Sequence, residues 1–538
     1  MRPMRWLSAL VAIALLGIVS PSEAAPLVAA PVCSPATTVV TDTGKVCGTA
    51  GQGVLSWLGV PYAAPPVGDL RWAPTRRHAP WPGELQATER GAPCPQAPLL
   101  GAGSENEDCL KLNIVIPASA HPDLLPVMVE FHGGGFRFGA PGPGDHLARA
   151  GQVIHVGVGY RLGVFGFLSH RGFGPNSGNY ALSDQQEALR WVQRNITAFG
   201  GDPKNVTIFG ASAGGSSVCA HVASPTARGL FAKGIVQAGE YNSLRGANTV
   251  WQPQDCKAEL PTQTEAQQTG DRFATALGCA QATPAAAAAC LRGKPVKALL
   301  DQSSDGMTPD RGTIAPIVDG RILTSSPGLA FAKGRVNQVA VMHGVGRDEV
   351  QIPPANTPEQ YEKLVRDQYG PLAPEVLALY PLKRYPEPAP FIASRTIVAD
   401  SNSVCPALRN DERLARRIPV FAFQVDNTDA PPLFFLDRTK PNGSFHISEA
   451  PFLYGPVTNE GANQQAFGVQ LVAQWTGFAR TGDPTVDGTP YWPRYTIKDP
   501  AVMSLAPAGD SVATREIARQ HNCDFWDKHT PYVNEERR

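Results

Sequence analysis

The sequence predicts an α/β fold, and two segments carry that expectation. Val206-Thr207-Ile208-Phe209 is a β-branched and aromatic run that reads as a buried strand. Gly210-Ala211-Ser212-Ala213-Gly214 follows directly, and Ser216 to Val222 reads as the start of a helix. Upstream, Val127-Met128-Val129-Glu130-Phe131 reads as a second strand and runs straight into His132-Gly133-Gly134-Gly135-Phe136. Strand ends of this kind are where α/β proteins place their functional groups.

Each glycine segment has a chemical reading. Strand, sharp turn and helix around G-x-S-x-G is the context of a nucleophile elbow, where the serine backbone is strained and its neighbours must be small. Ser212 is the candidate nucleophile, and Gly210 and Gly214 meet the need for space. Without that context the pattern would carry little weight. Three successive glycines let backbone N–H groups turn toward one point. Acyl transfer builds negative charge on a carbonyl oxygen, and each such donor is worth about 3 kcal/mol to it. Gly134, Gly135 and Ala213, the residue after the serine, are the candidate oxyanion-hole donors. For the acid, Val339 to Gly346 begins as a strand and leads to Arg347-Asp348-Glu349. Residue type alone does not choose between the two carboxylates.

On these segments and others the chain resembles the type B carboxylesterase/lipase family, the cholinesterase-like branch of the α/β-hydrolases. Gly59-Val60-Pro61-Tyr62-Ala63-Ala64-Pro65-Pro66-Val67-Gly68 resembles its N-terminal segment, and Glu107-Asp108-Cys109-Leu110-Lys111-Leu112-Asn113 its second signature. Tyr160 to Leu168, Gly178-Asn179-Tyr180 with Asp184-Gln185, and Trp475 to Pro484 are similar to later family segments. The resemblance runs from about Gly44 to Trp526. It implies one α/β-hydrolase domain over residues 25–538, with a large, mostly parallel central sheet flanked by helices. Loop and helical excursions would cover the catalytic face.

The resemblance also implies the order serine, acid, histidine. It places the acid at Glu349 and the base at His446, in the loop Asn442-Gly443-Ser444-Phe445-His446 that precedes Glu449. The implied activity is hydrolysis of a small-molecule carboxylic ester through an acyl-enzyme on Ser212, with His446 moving the proton and Glu349 holding its tautomer. No cofactor is implied. The sequence shows no zinc spacing, Walker loop or dinucleotide fingerprint, so the expected metal set is none. Arg161 is expected to pair with Asp184 and Arg71 with Glu107. Three disulfides are implied: Cys94–Cys109, Cys279–Cys290 and Cys405–Cys523.

The chain departs from the family at four places. Ala211 stands where a glutamate is common before the serine, and Ala238-Gly239 where Ser-Gly is common. Ile447 and Val350 replace glycines after the base and the acid. The first two remove members of a polar network behind the histidine and leave Glu449. A buried carboxylate without partners titrates high. Whether Glu240 or a water substitutes stays open at this level.

Lys plus Arg and Asp plus Glu are balanced at 47 each, which gives no reason to expect nucleic acid or an anionic membrane as partner. Residues 1–24 read as a signal peptide. Arg2 and Arg5 precede an apolar stretch from Trp6 to Val19, and Ser22-Glu23-Ala24 supplies the small residues of a cleavage site. The stretch is shorter than the ~20 residues of a bilayer span, so no transmembrane anchor is expected after cleavage. The expected destination is secreted or periplasmic.

Ten cysteines in an exported chain suggest disulfides. Cys33 and Cys47 bracket a segment of alternating character that a bridge would staple as a hairpin. Cys219 and Cys256 are left without an assignment, since a buried cysteine on a helix is often a small apolar residue. Asn195, Asn205 and Asn442 fit the glycosylation pattern. Ala181 to Phe199 reads as an amphipathic helix with Trp191 in the core, Gln252 to Thr269 as a polar excursion, and Asn463 to Ala479 as a late helix. Asn534 to Arg538 reads as a charged tail.

Rival functions are an inactive recognition module of the same fold, a choline-specific esterase and a lidded lipase. The first commonly lacks the serine that this chain keeps. The second needs a cation site, and neither an aromatic residue in the Cys94–Cys109 loop nor a carboxylate before Ser212 is present.

Overall fold

The computed structural model describes residues 33–98, 103–119, 123–240, 256, 260–304, 315–349, 354–433, 436–437, 439–455 and 460–529. The signal segment 1–24, Val350 and the tail 534–538 lie outside the described residues.

Strand alternation sets the architecture. Val127, Val129 and Phe131 belong to one apolar cluster and Met128 to another; Val206 and Ile208 part from Phe209, and Val341 and Val345 from Met342, in the same way. Each strand thus carries an apolar row on both faces, as a sheet covered on both sides requires. The first cluster is completed by helices Tyr180–Asn195 and Ala213–Ala223, and the second by Asp145–Gly151 and Ala462–Thr481.

Among the described residues eleven strands form this sheet. In spatial order they are Val512–Thr514, Val502–Leu505, Val420–Val425, Ala340–Gly346, Lys233–Gln237, Gly201–Ala211, Leu125–Phe131, Ile154–Val158, Lys111–Pro117, Val54–Pro61 and Thr49–Gly51. The pairings from Val502–Leu505 through to Ile154–Val158 are all parallel. Antiparallel strands close both ends. The segments bearing Ser212, the glycine loop, Gln237 and Glu349 all leave the carboxyl ends of central strands, so the sheet delivers them to one edge.

The helix expected over 181–199 is Tyr180–Asn195 followed by a 3-10 turn, Ile196–Phe199, and Trp191 is fully buried in the core. The excursion expected over 252–269 is corrected at its end. Helix Gln263–Ala276 begins there, opened by a capping box in which Thr262 and Glu265 satisfy each other's backbone N–H.

All ten cysteines are paired. Cys33–Cys47 spans the hairpin formed by Thr38–Thr41 and Gly44–Cys47, and Cys94–Cys109, Cys279–Cys290 and Cys405–Cys523 are bonded. The remaining bridge is Cys219–Cys256, so Cys219 ties its helix to the segment beyond the next strand. Of the three glycosylation patterns, that at Asn195 is buried, with its amide donating to Asp42 and to the Trp191 carbonyl. No helix of the described residues is long and apolar enough to cross a membrane.

Candidate active site

Ser212 sits between strand Gly201–Ala211 and helix Ala213–Ala223 with φ +60° and ψ −126°, a conformation that costs an L-residue energy and persists only under constraint. The constraint is the close approach of neighbouring backbone. A Cβ on Gly210 would lie 2.4 Å from the Phe131 carbonyl oxygen, and one on Gly214 would lie 1.9 Å from it. The Ser212 N–H is fixed by donating to the Gln237 carbonyl at 2.9 Å.

The glycine loop lies against this turn. A Cβ on Gly133 would be 2.8 Å from the Ala211 oxygen and 3.3 Å from the Ser212 Cβ. Gly134 has φ +109° and Gly135 φ +60°. The Gly134 carbonyl accepts from the N–H groups of Arg137 and Phe138 at 3.0 and 3.1 Å, which curls the loop. Buried Phe136 anchors it, and Gln96 clamps its far end by exchanging two hydrogen bonds with Gly139 at 2.9 and 3.0 Å. Among the described residues the N–H groups of Gly134, Gly135 and Ala213 donate to no acceptor. Ala213 opens a helix, so its N–H is one of the donors that a helix start leaves free. Three unspent donors beside a strained serine are what a developing oxyanion would use.

The candidate acid and base meet at the end of strand Ala340–Gly346. The Nδ1–H of His446 donates to Glu349 in a short hydrogen bond, which sets the tautomer in which Nε2 is the proton acceptor. Glu349 is 1% exposed, and its other oxygen accepts the Gly346 N–H at 3.0 Å. Asp348 turns the other way. Its carboxylate accepts the Ser444 N–H at 2.8 Å, and its own N–H donates to the Ser444 carbonyl at 3.0 Å. It therefore braces the histidine loop and does not touch the imidazole. Arg395, which sequence reading did not single out, adds donors to the Asp348 and Asn442 carbonyls. Ile447 holds φ +57°, a left-handed conformation that a β-branched side chain strongly disfavours, at the position where the family resemblance leads one to expect glycine.

The polar network behind the histidine is rebuilt. Glu449 is buried and accepts the Gln237 amide at 2.8 Å. Burial raises its pKa, with the Gln237 hydrogen bond opposing. Glu240 does not take part. It lies in a separate buried cluster, where His343 bridges Glu240 at 2.9 Å and Asp411 at 2.7 Å and Asn410 donates to Glu240 at 2.9 Å. Burial alone would lower the His343 pKa, but the two carboxylates lift it well above the ordinary histidine value. Gln237 went unnoticed as a site residue. Its one sequence signal is its place at the end of the strand beside the elbow.

The expected structural pairs form as well: Arg161 makes a two-pronged contact with buried Asp184 at 2.8 Å, and Arg71 pairs with Glu107. Cys219, Glu240, Cys256 and His343 have donor atoms close together, but the two sulfurs form a disulfide, which removes the thiolates a metal would need.

The model of the family described as "Carboxylesterase family" matches residues 35–370 and 389–526. Para-nitrobenzyl esterase of Bacillus subtilis (strain 168) is 32% identical over 85% of this chain and 92% of that protein. Cholinesterase of Mus musculus is 30% identical over 92% of this chain and 87% of that protein. A solved PNB esterase structure superposes with a TM-score of 0.73 at 30% identity, covering 90% of this chain and 99% of that one.

Proposed function

The chain belongs to the carboxylesterase family and is a serine ester hydrolase of the α/β-hydrolase fold, and on that premise we propose that it is an exported enzyme cleaving esters of uncharged alcohols through an acyl-enzyme on Ser212. The observation that carries the site assignment is the set of free N–H groups on Gly134, Gly135 and Ala213 next to a serine held at φ +60°. In the proposed sequence Nε2 of His446 takes the Ser212 proton as the hydroxyl attacks the ester carbonyl. The three N–H groups receive the oxyanion. Glu349 stabilises the imidazolium, which then protonates the departing alcohol. Water repeats the cycle on the acyl-enzyme and releases the acid.

Export is supported by the N-terminal signal pattern and by five disulfides, which persist in oxidising compartments. The uncharged alcohol is supported by the lack of an aromatic residue in the Cys94–Cys109 loop and by Ala211 before the serine. The test is Ser212→Ala. It should remove turnover by several orders of magnitude, remove labelling by a fluorophosphonate probe and leave the fold intact. An alanine variant that turns over ester normally would refute the assignment.

A further inference from the structure

Arg137 follows the oxyanion glycines by two residues, and its guanidinium is half-buried without an ion pair or a side-chain hydrogen bond among the described residues. That is unusual company for a cation. The other half-buried or buried arginines around the site have partners: Arg71 has Glu107, Arg161 has Asp184, and Arg395 has the Asp348 and Asn442 carbonyls. Burial lowers the Arg137 pKa, and no carboxylate among the described residues offsets it. A cation partly withdrawn from water without a counter-ion gives up some hydration, and an anion that comes to rest beside it restores the loss.

The loop also holds this residue in place. The Arg137 N–H is tied to the Gly134 carbonyl at 3.0 Å, the Phe136 carbonyl accepts from Gly163 at 2.6 Å, and Gln96 closes the loop at Gly139. The loop backbone that displays the guanidinium is already ordered, so binding does not have to order it, and the planar fork matches a carboxylate in two-pronged geometry.

We infer that Arg137 is a specificity residue that binds a carboxylate carried by the ester substrate. The inference rests on the esterase reading above, though not on its uncharged alcohol, and deepens it: the substrate class is an ester bearing an anionic group, on its acyl or its alcohol side, within reach of the oxyanion loop. The same positive charge repels a cationic alcohol.

The experiment compares wild type, Arg137→Gln and Arg137→Lys on two matched pairs. Monoethyl succinate against diethyl succinate places the charge on the acyl side. Carboxymethyl butyrate against its methyl ester places it on the alcohol side. On one pair at least, the ratio of kcat/KM for charged over neutral ester should fall tenfold or more in Arg137→Gln, with part of it kept in Arg137→Lys. The pair that responds identifies the side. Ratios that stay within twofold of wild type on both pairs overturn the inference. Binding separates this result from the esterase reading. Monoethyl succinate and carboxymethyl butyrate are titrated calorimetrically into Ser212→Ala and into Ser212→Ala/Arg137→Gln. At least one should bind tenfold more weakly to the double variant, whatever the turnover. Equal binding of both to the two proteins overturns the inference.

Discussion

The Gln237 side-chain amide donates to the buried carboxylate of Glu449 at 2.8 Å. The backbone carbonyl of the same Gln237 accepts the Ser212 N–H at 2.9 Å. One residue at the end of a central strand thus connects the elbow to the histidine loop, because Glu449 stands three residues beyond His446. The family resemblance leads one to expect a serine and a second glutamate in this region, and here Ala238 and Ala211 supply no polar side chain. Gln237 is the side-chain donor to Glu449 among the described residues.

Gln237→Ala is therefore expected to cost about 1–3 kcal/mol, the penalty for leaving a buried polar group without its partner. The cost should depend on pH. Glu449 has its folded-state pKa raised, chiefly by burial, so the folded protein holds that proton more tightly than the unfolded chain. Its contribution is most favourable in acid and declines as pH rises through the interval between the two values. Loss of Gln237 removes the hydrogen bond that opposes the shift and widens that interval. Urea unfolding at pH 5 and pH 8 should show the larger loss at pH 8, and Glu449→Gln should flatten the dependence. An equal loss at both pH values would contradict this account.

Asp348 and Glu349 should separate cleanly by kinetics. Glu349 contacts the imidazole and Asp348 contacts the Ser444 N–H. Glu349→Gln removes the charge that stabilises the imidazolium and is expected to lower kcat by about 10³–10⁴, in line with loss of a triad acid. Asp348→Ala removes an acceptor for the loop and is expected to act mainly on stability, at about 1–3 kcal/mol. Steady-state kinetics with thermal unfolding on both variants decides it, and the reverse ranking would reassign the acid.

His343 offers a stability test away from the site. It lies between Glu240 and Asp411, all three buried. Its raised pKa means the imidazolium contributes stability fully below the ordinary histidine value and loses it only as pH climbs through the elevated folded value. His343→Leu leaves two buried carboxylates facing each other and is expected to cost about 3–5 kcal/mol near neutral pH. The penalty should shrink at pH 5. Burial already pushes Asp411 up to about 6, and without the imidazolium it protonates more readily. A penalty that grows in acid would show that the cluster is held in some other way.

What the sequence revealed and what it hid follow a physical line. The elbow and the glycine loop were legible because backbone demands small residues there: a Cβ on Gly214 would stand 1.9 Å from the Phe131 oxygen. The sheet strands were legible because both faces are buried and their runs are continuously apolar. Residue type left Asp348 and Glu349 equivalent; they differ only in which side of the loop each faces. Gln237, Arg395 and Gln96 act through partners between 43 and 212 positions away, and no local pattern encodes such pairs. The Cys219–Cys256 bridge was hidden for a related reason: helix burial alone looks the same for a thiol and a disulfide.

A choline-binding site needs an aromatic face or a desolvated carboxylate beside the leaving group. The loop between Cys94 and Cys109, PQAPLLGAGSENED, holds no aromatic residue, and Ala211 precedes the serine. Three carboxylates remain in that loop, but they are spoken for or wet. Glu107 is paired with Arg71, Asp108 with Lys111 at 2.9 Å, and Glu105 is exposed. An exposed carboxylate attracts a cation by less than about 1 kcal/mol. The comparison that tests this is a choline ester against its dimethylbutyl counterpart, which has nearly the same shape without the charge. The charged ester should gain less than about tenfold in kcat/KM, equivalent to roughly 1.4 kcal/mol of transition-state binding. A larger preference would mean that a cation site is built from another loop.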